Sequence, residues 1–342
     1  MQSHSSHENT PTRQEIQQGI KKGFLWSVGS ILSITVLGFF LLQQDWISSE
    51  IWFSIQQSNL GLLSFGWFLM CFAIFILGYR WKALLPETAG ISGVFLGTSL
   101  GGALLLNYAI PGPFGELVAG WMLKRRYGTS IAAGLTAGGV ARLLGLLTAA
   151  LGTLGLWFFV ELSLAETRFL LWGLVLGISL GTGLLLALFF LPEKMLSLLR
   201  NNDSKPTLLL KNFLNSIISC TQNGITPLLK ASGWSIIGHG IAFLGIWFSL
   251  QAILPTASMI GVLFTYLAGT CCGAIAFLIP GSQLAWDAIF AGLLASSTQY
   301  SVQEAAMLTG VLRIEQLGMM MVGGIGLSVL LFQDSRLSAS KN

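Results

Sequence analysis

The sequence predicts an all-α polytopic membrane protein built as an inverted-topology repeat, and three observations predict it. The 342-residue chain is 53% hydrophobic and 9% charged, with a mean hydropathy of +0.73, far above a soluble globular protein. Apolar runs near the ~20 residues that span a bilayer recur along most of it. A Pro-Gly break interrupts one such run in each half, and an acid and then an arginine follow each break at matched spacing.

Residues 1–23 form a polar tail carrying Arg13, Lys21 and Lys22. The tail is long for a signal-peptide n-region, and no A-x-A-like cleavage site follows the first apolar run, 24–42. That run is therefore expected to stay as a helix. Lys and Arg in short loops mark the cytosolic side, which places the tail inside. Loop 43–58 has Asp45 and Glu50 but no base, so it lies outside, and run 59–79 returns to Arg80 and Lys82 in "GYRWKALLPE". Run 91–110 starts inside, yet Lys124, Arg125 and Arg126 belong inside as well. Residues 114–123 are too few to cross ~30 Å at ~1.5 Å per residue. A re-entrant hairpin near 91–126, broken at Pro111, Gly112 and Pro113, resolves the conflict. Such backbone is tolerated where it is buried in protein or lines a wet cavity.

Run 130–160 leads outward and 169–192 returns. Segment 193–230 carries Lys194, Arg200, Lys205, Lys211 and Lys230, and its apolar groups interleave with Lys and Asn, as interfacial amphipathic helices require. Run 231–254 exits. Run 258–279 re-enters and meets the second break, Pro280-Gly281. The loop "SSTQYSVQE" beyond it has no base, so this second hairpin, near 258–297, opens from the opposite face. Run 304–332 leaves the tail 333–342 inside. Every Lys and Arg except Arg142, Arg168 and Arg313 then falls in the cytosol. The expected organisation is repeat 1 over 24–160 and repeat 2 over 161–332, in the inner (cytoplasmic) membrane with both termini cytosolic.

The halves share chemistry as well as breaks. "Gly-Val-x-Arg" occurs at 139–142 and 310–313, and 26 residues separate Glu116 from Arg142 and Asp287 from Arg313. Small-residue pairs Gly97/Gly101 and Gly269/Gly273 precede the breaks and suit close helix packing. Inverted repeats with broken helices at the midplane are the recurring plan of secondary transporters. An ionisable side chain at that depth costs at least ~2.5–3.5 kcal/mol, so it should be paired or face water. The expected pairs are Glu116 with Arg142 and Asp287 with Arg313, while Glu315 points to another helix face and a partner of its own. Arg142 and Arg313 suit bidentate contact with a phosphate. Asn107 and Tyr108 satisfy freed backbone groups or line the cavity. Lys124, Arg125 and Arg126 anchor the topology and attract anionic lipids, at about 1 kcal/mol per base. His239 is expected to be packed or hydrogen-bonded, and Trp46, Trp81 and Trp121 to be interface anchors. The spacing of Cys71, Cys220, Cys271 and Cys272 fits no metal site.

The segments "YRWKALL" (79–85), "NYAIPGPFGE" (107–116), "KRRYG" (124–128), "GVARLLGLL" (139–147), "IPGSQLAWD" (279–287) and "GVLRIEQLG" (310–318) resemble the membrane region of the lysylphosphatidylglycerol synthase/flippase family. This is the flippase part of the bacterial multiple peptide resistance factor. The resemblance runs from about residue 20 to 332. The second half departs from it: where the family pattern implies Pro-Gly-Gly-x-Gly followed by Glu, Ser282, Gln283 and Leu284 intervene and the acid is Asp287. The resemblance implies a stand-alone lipid-handling membrane module, without the family's soluble aminoacyl-transferring domain.

The expected function is a flippase for a lipid with an anionic, phosphate-bearing head group, with an aminoacylated lipid, a polyprenyl phosphate, a hopanoid and a simple phospholipid all left open. There is no Walker motif, no H-E-x-x-H and no Ser/His/Asp order, so neither direct ATP use nor enzymatic chemistry is expected. No cofactor, metal or nucleic acid is implied. A non-transporting scaffold for a separately encoded synthase and an intramembrane lipid-modifying enzyme are the alternatives. Homo-oligomerisation is left open.

Overall fold

The computed structural model describes residue 53, residues 56–85, 90–109, 114–160, 168–199, 225–256, 258–276 and 282–339, and scattered positions between 207 and 218. The tail 1–23, the run 24–42 and both breaks (Pro111, Gly112 and Pro113; Pro280 and Gly281) lie outside the described residues. Among the described residues there is no strand, and ten α-helices follow one another. They are α1 (Leu60–Lys82), α2 (Gly93–Ala109), α3 (Phe114–Tyr127), α4 (Ile131–Leu156) and α5 (Arg168–Phe190). Then come α6 (Pro192–Leu198), α7 (Thr226–Ile253), α8 (Met259–Ala276), α9 (Ser282–Ser297) and α10 (Val302–Ala339). A 3₁₀ turn, Trp157–Phe159, extends α4.

Length sorts these helices into two kinds. α1, α4 with its 3₁₀ extension, α7 and the apolar part of α10 are each long and apolar enough to cross a membrane. Between them lie two pairs of shorter helices, α2 and α3 with 17 and 14 residues, and α8 and α9 with 18 and 16. At ~1.5 Å per residue these reach only about 21–27 Å. α5 and α6 make a bent pair, turned through 95° ahead of Pro192. A cavity of about 430 Å³ sits at this bend against Phe189, Lys194 and Leu228.

Local chemistry sets the helix ends. Asn59 Oδ1 accepts from Leu62 N–H at 3.1 Å, and Ser130 Oγ from Ala133 N–H at 3.0 Å, each satisfying a first-turn donor. Ser301 and Glu304 form a capping box: Glu304 Oε2 accepts from Ser301 N–H at 2.8 Å, and Ser301 Oγ from Glu304 N–H at 3.2 Å. α3 closes at Gly128, whose φ of 71° falls in the left-handed region and whose N–H donates to the Lys124 carbonyl.

α1 and α7 pack antiparallel along most of their length. Gly66 meets Gly245 and Ser249 near one end, while Tyr79 meets Trp234 at 5.3 Å near the other. A Cβ on Gly66 would lie 2.6 Å from the Gly245 carbonyl oxygen, so the two backbones approach only because both positions are glycine. α2 crosses α10 through Gly101 and Gly323, and α8 packs on α4 through Leu267 and Gly152. α2 lies on α3 as α8 lies on α9, and α3 on α4 as α9 on α10. Each of these packings in 60–156 thus has a counterpart in 226–339.

Two main apolar cores occupy opposite ends of the bundle. One gathers Trp81, Leu96, Met122, Leu123 and Leu144; the other gathers Phe243, Leu250, Phe290, Leu294 and Leu308. Leu214 and Ile217, from the segment expected to lie at the interface, are buried in the first. Trp81 corrects an expectation. It is no interface anchor: it is 1% exposed and its Nε1–H donates to the Gly134 carbonyl at 3.2 Å, because α4 covers the last turn of α1. Trp121 is exposed, with the Arg125 guanidinium 5.4 Å over its ring. Trp46 lies outside the described residues.

Candidate functional site

Of the arginines that the two Gly-Val-x-Arg segments carry, Arg313 is buried in the helix bundle and Arg142 is half-buried. In α10, Arg313 is 7% exposed and faces Asp287 of α9. Its Nε–H donates to Asp287 Oδ1 at 3.0 Å, its Nη2 donates to the same oxygen, and its Nη1 donates to Gln316 Oε1 at 2.8 Å. The guanidinium also lies 4.8 Å over the Trp286 ring. That indole is held by Phe290 and by its own N–H, which donates to the Gly269 carbonyl at 2.9 Å. A Cβ on Gly273 would come within 2.8 Å of Trp286 Nε1, so the expected small-residue pair Gly269/Gly273 seats this indole. The Asp287–Arg313 pair read from spacing is formed, and all three guanidinium nitrogens are engaged.

Glu315, two residues on, faces elsewhere. Its Oε1 accepts from Ser249 Oγ on α7 at 3.1 Å, and its backbone carbonyl accepts from Trp67 Nε1 on α1 at 3.1 Å. Its Oε2 is buried with no hydrogen-bond partner among the described residues.

In the first half Arg142 is half-buried on α4. Glu116 lies in the first turn of α3, and Asn107 and Tyr108 near the end of α2; their side chains, and with them the expected Glu116–Arg142 contact, lie outside the described residues. Lys124, Arg125 and Arg126 are exposed at the end of α3, with Arg126 5.1 Å over the Phe95 ring.

The residue that sequence reasoning missed is Arg80. It is 8% exposed, reaches from the last turn of α1 into the bundle, and donates from Nη1 to Ser235 Oγ on α7 at 3.3 Å. Its guanidinium fills the space beside Gly145 of α4 that a side chain would take, and its Nε has no partner among the described residues. On the carbonyl side of Gly145 sits His239, with Nε2 3.0 Å from that oxygen and Nδ1 2.9 Å from Tyr266 Oη. A carbonyl only accepts, so Nε2 carries the proton and Nδ1 accepts from the tyrosine. His239 is thus hydrogen-bonded at both nitrogens as a neutral ring. The signals for Arg80 were its place just inside the end of the apolar run, with Lys82 beyond it, and its membership of "YRWKALL", one of the segments that carry the family resemblance.

Cys71, Cys271 and Cys272 are free thiols, and among the described residues no group of three His, Cys, Asp or Glu is disposed to hold a metal. Residues 26–324 match the family described as Lysylphosphatidylglycerol synthase TM region. The chain belongs to that family. No curated protein and no solved structure matches it significantly. The family match takes in both Gly-Val-x-Arg segments and both acids, Glu116 and Asp287. With its several long apolar helices, this member of the lysylphosphatidylglycerol synthase TM region family is a multi-pass membrane protein.

Proposed function

We propose that the protein is a flippase: it moves a phosphate-bearing lipid between leaflets through a midplane cavity between two inverted repeats, with no covalent chemistry. In this reading α2–α3 and α8–α9 are re-entrant hairpins entering from opposite faces. Support comes from their shortness beside the four long helices, from the antiparallel α1–α7 contact, and from the counterpart packings of the two halves. The observation that carries the reading is the Asp287–Arg313 pair, a charged contact held between membrane helices where an apolar contact would cost less. The acid holds the guanidinium until a lipid phosphate competes for it. The distribution of Lys and Arg supports a cytoplasmic-membrane location with both termini cytosolic, and it sets Lys124, Arg125 and Arg126 against the anionic inner leaflet. An aminoacylated lipid, a polyprenyl phosphate and a simple phospholipid all fit this reading, and a separate synthase would supply the first of these.

The test is lipid translocation in proteoliposomes holding the purified protein, with labelled phosphatidylglycerol compared with a polyprenyl phosphate. Movement is expected with wild type, a reduced rate with Glu116→Gln, and none with Arg142→Ala or Arg313→Ala. Absence of movement by folded protein across both lipids would sink the transport reading. Stable co-purification with a synthase would then favour the scaffold.

A further inference from the structure

Arg80 poses a problem that the helix bundle does not solve on its own. Its guanidinium lies beside Gly145 and Ser235, each about 14–21 Å along its helix from Ile131 or Thr226, so it is far from either end. An arginine there needs a counter-charge. Among the described residues no carboxylate reaches it: its hydrogen bond is to the hydroxyl of Ser235, and Nε is buried without an acceptor.

The neighbouring polar groups do not supply the missing charge. The Gly145 carbonyl accepts from His239, and the Tyr266 hydroxyl donates to the other ring nitrogen, so this pair forms a neutral wall. Arg142 precedes Gly145 by three residues on α4, on the same helix face.

We propose that Arg80 is an anion-binding residue: with Ser235, and with Arg142 one turn along α4, it forms a site inside the bundle that takes a phosphate group. The planar fork of Arg80 has unspent N–H donors, the pattern that grips two phosphate oxygens at once. Gly145, lacking a side chain, leaves the guanidinium room to present them. The choice of a phospholipid as the source of that phosphate rests on the flippase reading; the need for an anion does not.

The experiment is thermal unfolding of the full chain in neutral, phosphate-free maltoside micelles. Phosphatidylglycerol, inorganic phosphate and a phosphate-free diacyl glycolipid are titrated against wild type, Arg80→Gln, Arg80→Lys and Ser235→Asp. Phosphatidylglycerol should raise the wild-type Tm and the glycolipid should not. Arg80→Gln should need about tenfold more phosphatidylglycerol for the same shift, and Arg80→Lys less than that, since lysine keeps the charge but loses the fork. Ser235→Asp should raise the Tm without ligand, because a carboxylate then neutralises Arg80, and should abolish the lipid's effect. A shift with inorganic phosphate alone, dependent on Arg80, keeps the site and names a free phosphate as its ligand. Equal lipid shifts in wild type and Ser235→Asp overturn the proposal, as does no shift with either phosphate probe. Should Arg80→Gln fail to fold, Ser235→Asp, which retains the arginine, still decides. Arg80-dependent binding without translocation in proteoliposomes would leave the site standing and remove the flippase reading. Translocation without Arg80-dependent binding would do the reverse.

Discussion

Three residues beyond the arginine of each Gly-Val-x-Arg segment, the two halves diverge. In α10 that position is Gln316, which accepts from Arg313 and, with Asp287, occupies its guanidinium completely. In α4 it is Gly145, and the space so left holds a second guanidinium, that of Arg80 arriving from α1. One half closes off the guanidinium of its Gly-Val-x-Arg segment with Asp287 and Gln316, whereas the other leaves a berth in which an arginine from a different helix is buried. The two helices follow the same local plan, and a single side chain at matched spacing decides whether that space is filled by an amide or by an incoming guanidinium.

The sharpest way to break this comparison is to remove the two arginines one at a time. Arg313→Met leaves Asp287 buried without its partner and should cost about 3–5 kcal/mol of stability, measured by denaturation in mixed micelles. The double variant Asp287→Leu/Arg313→Met should regain most of that loss. A double variant no more stable than the single would mean that the pair is not the source of the effect. Gly145→Ala drives a Cβ into the Arg80 guanidinium and should cost about 1–3 kcal/mol in the same assay. No cost would show that Arg80 moves aside freely. Gln316→Ala should cost about 1–2 kcal/mol, since one Arg313 nitrogen loses its acceptor. The smallest effect is the most informative. Arg80→Met, in ligand-free neutral micelles, should stay within about 1 kcal/mol of wild type, because no carboxylate is stranded by its removal. A loss as large as that of Arg313→Met would mean that Arg80 is neutralised within the chain, and the contrast between the halves would fail.

Much of this architecture was legible in the sequence because length and composition alone carry it. Runs 59–79, 130–160, 231–254 and 304–332 match the four long helices to within a few residues at each end, and the arms expected on either side of each break are the four short ones. The 26-residue spacing brought Asp287 onto Arg313 because each lies on one of two adjacent antiparallel helices, where register follows from count. Arg80 and Trp81 were misjudged for one physical reason. Both close an apolar run next to Lys82, and a basic or aromatic residue there ordinarily marks the membrane interface. Their burial depends on α4 and α7 lying over the last turn of α1, a tertiary fact with no trace in local pattern. Trp286 and Gln316 were missed likewise: each acts through a contact with Arg313 that neither residue type announces.

The apolar part of α10 has a consequence for where its first turn stands. Its 31 residues, Val302–Phe332, measure about 46 Å at ~1.5 Å per residue, half as long again as the ~30 Å hydrocarbon layer of a bilayer. A tilt of the usual ~20° still leaves about 43 Å to accommodate. Ile314, Met321, Ile325, Val329 and Phe332 turn outward along this length. The helix is thus longer than the layer it crosses, so its first turn, with exposed Val302 and the Ser301–Glu304 cap, has length enough to stand in the head-group region while the rest still spans the hydrocarbon.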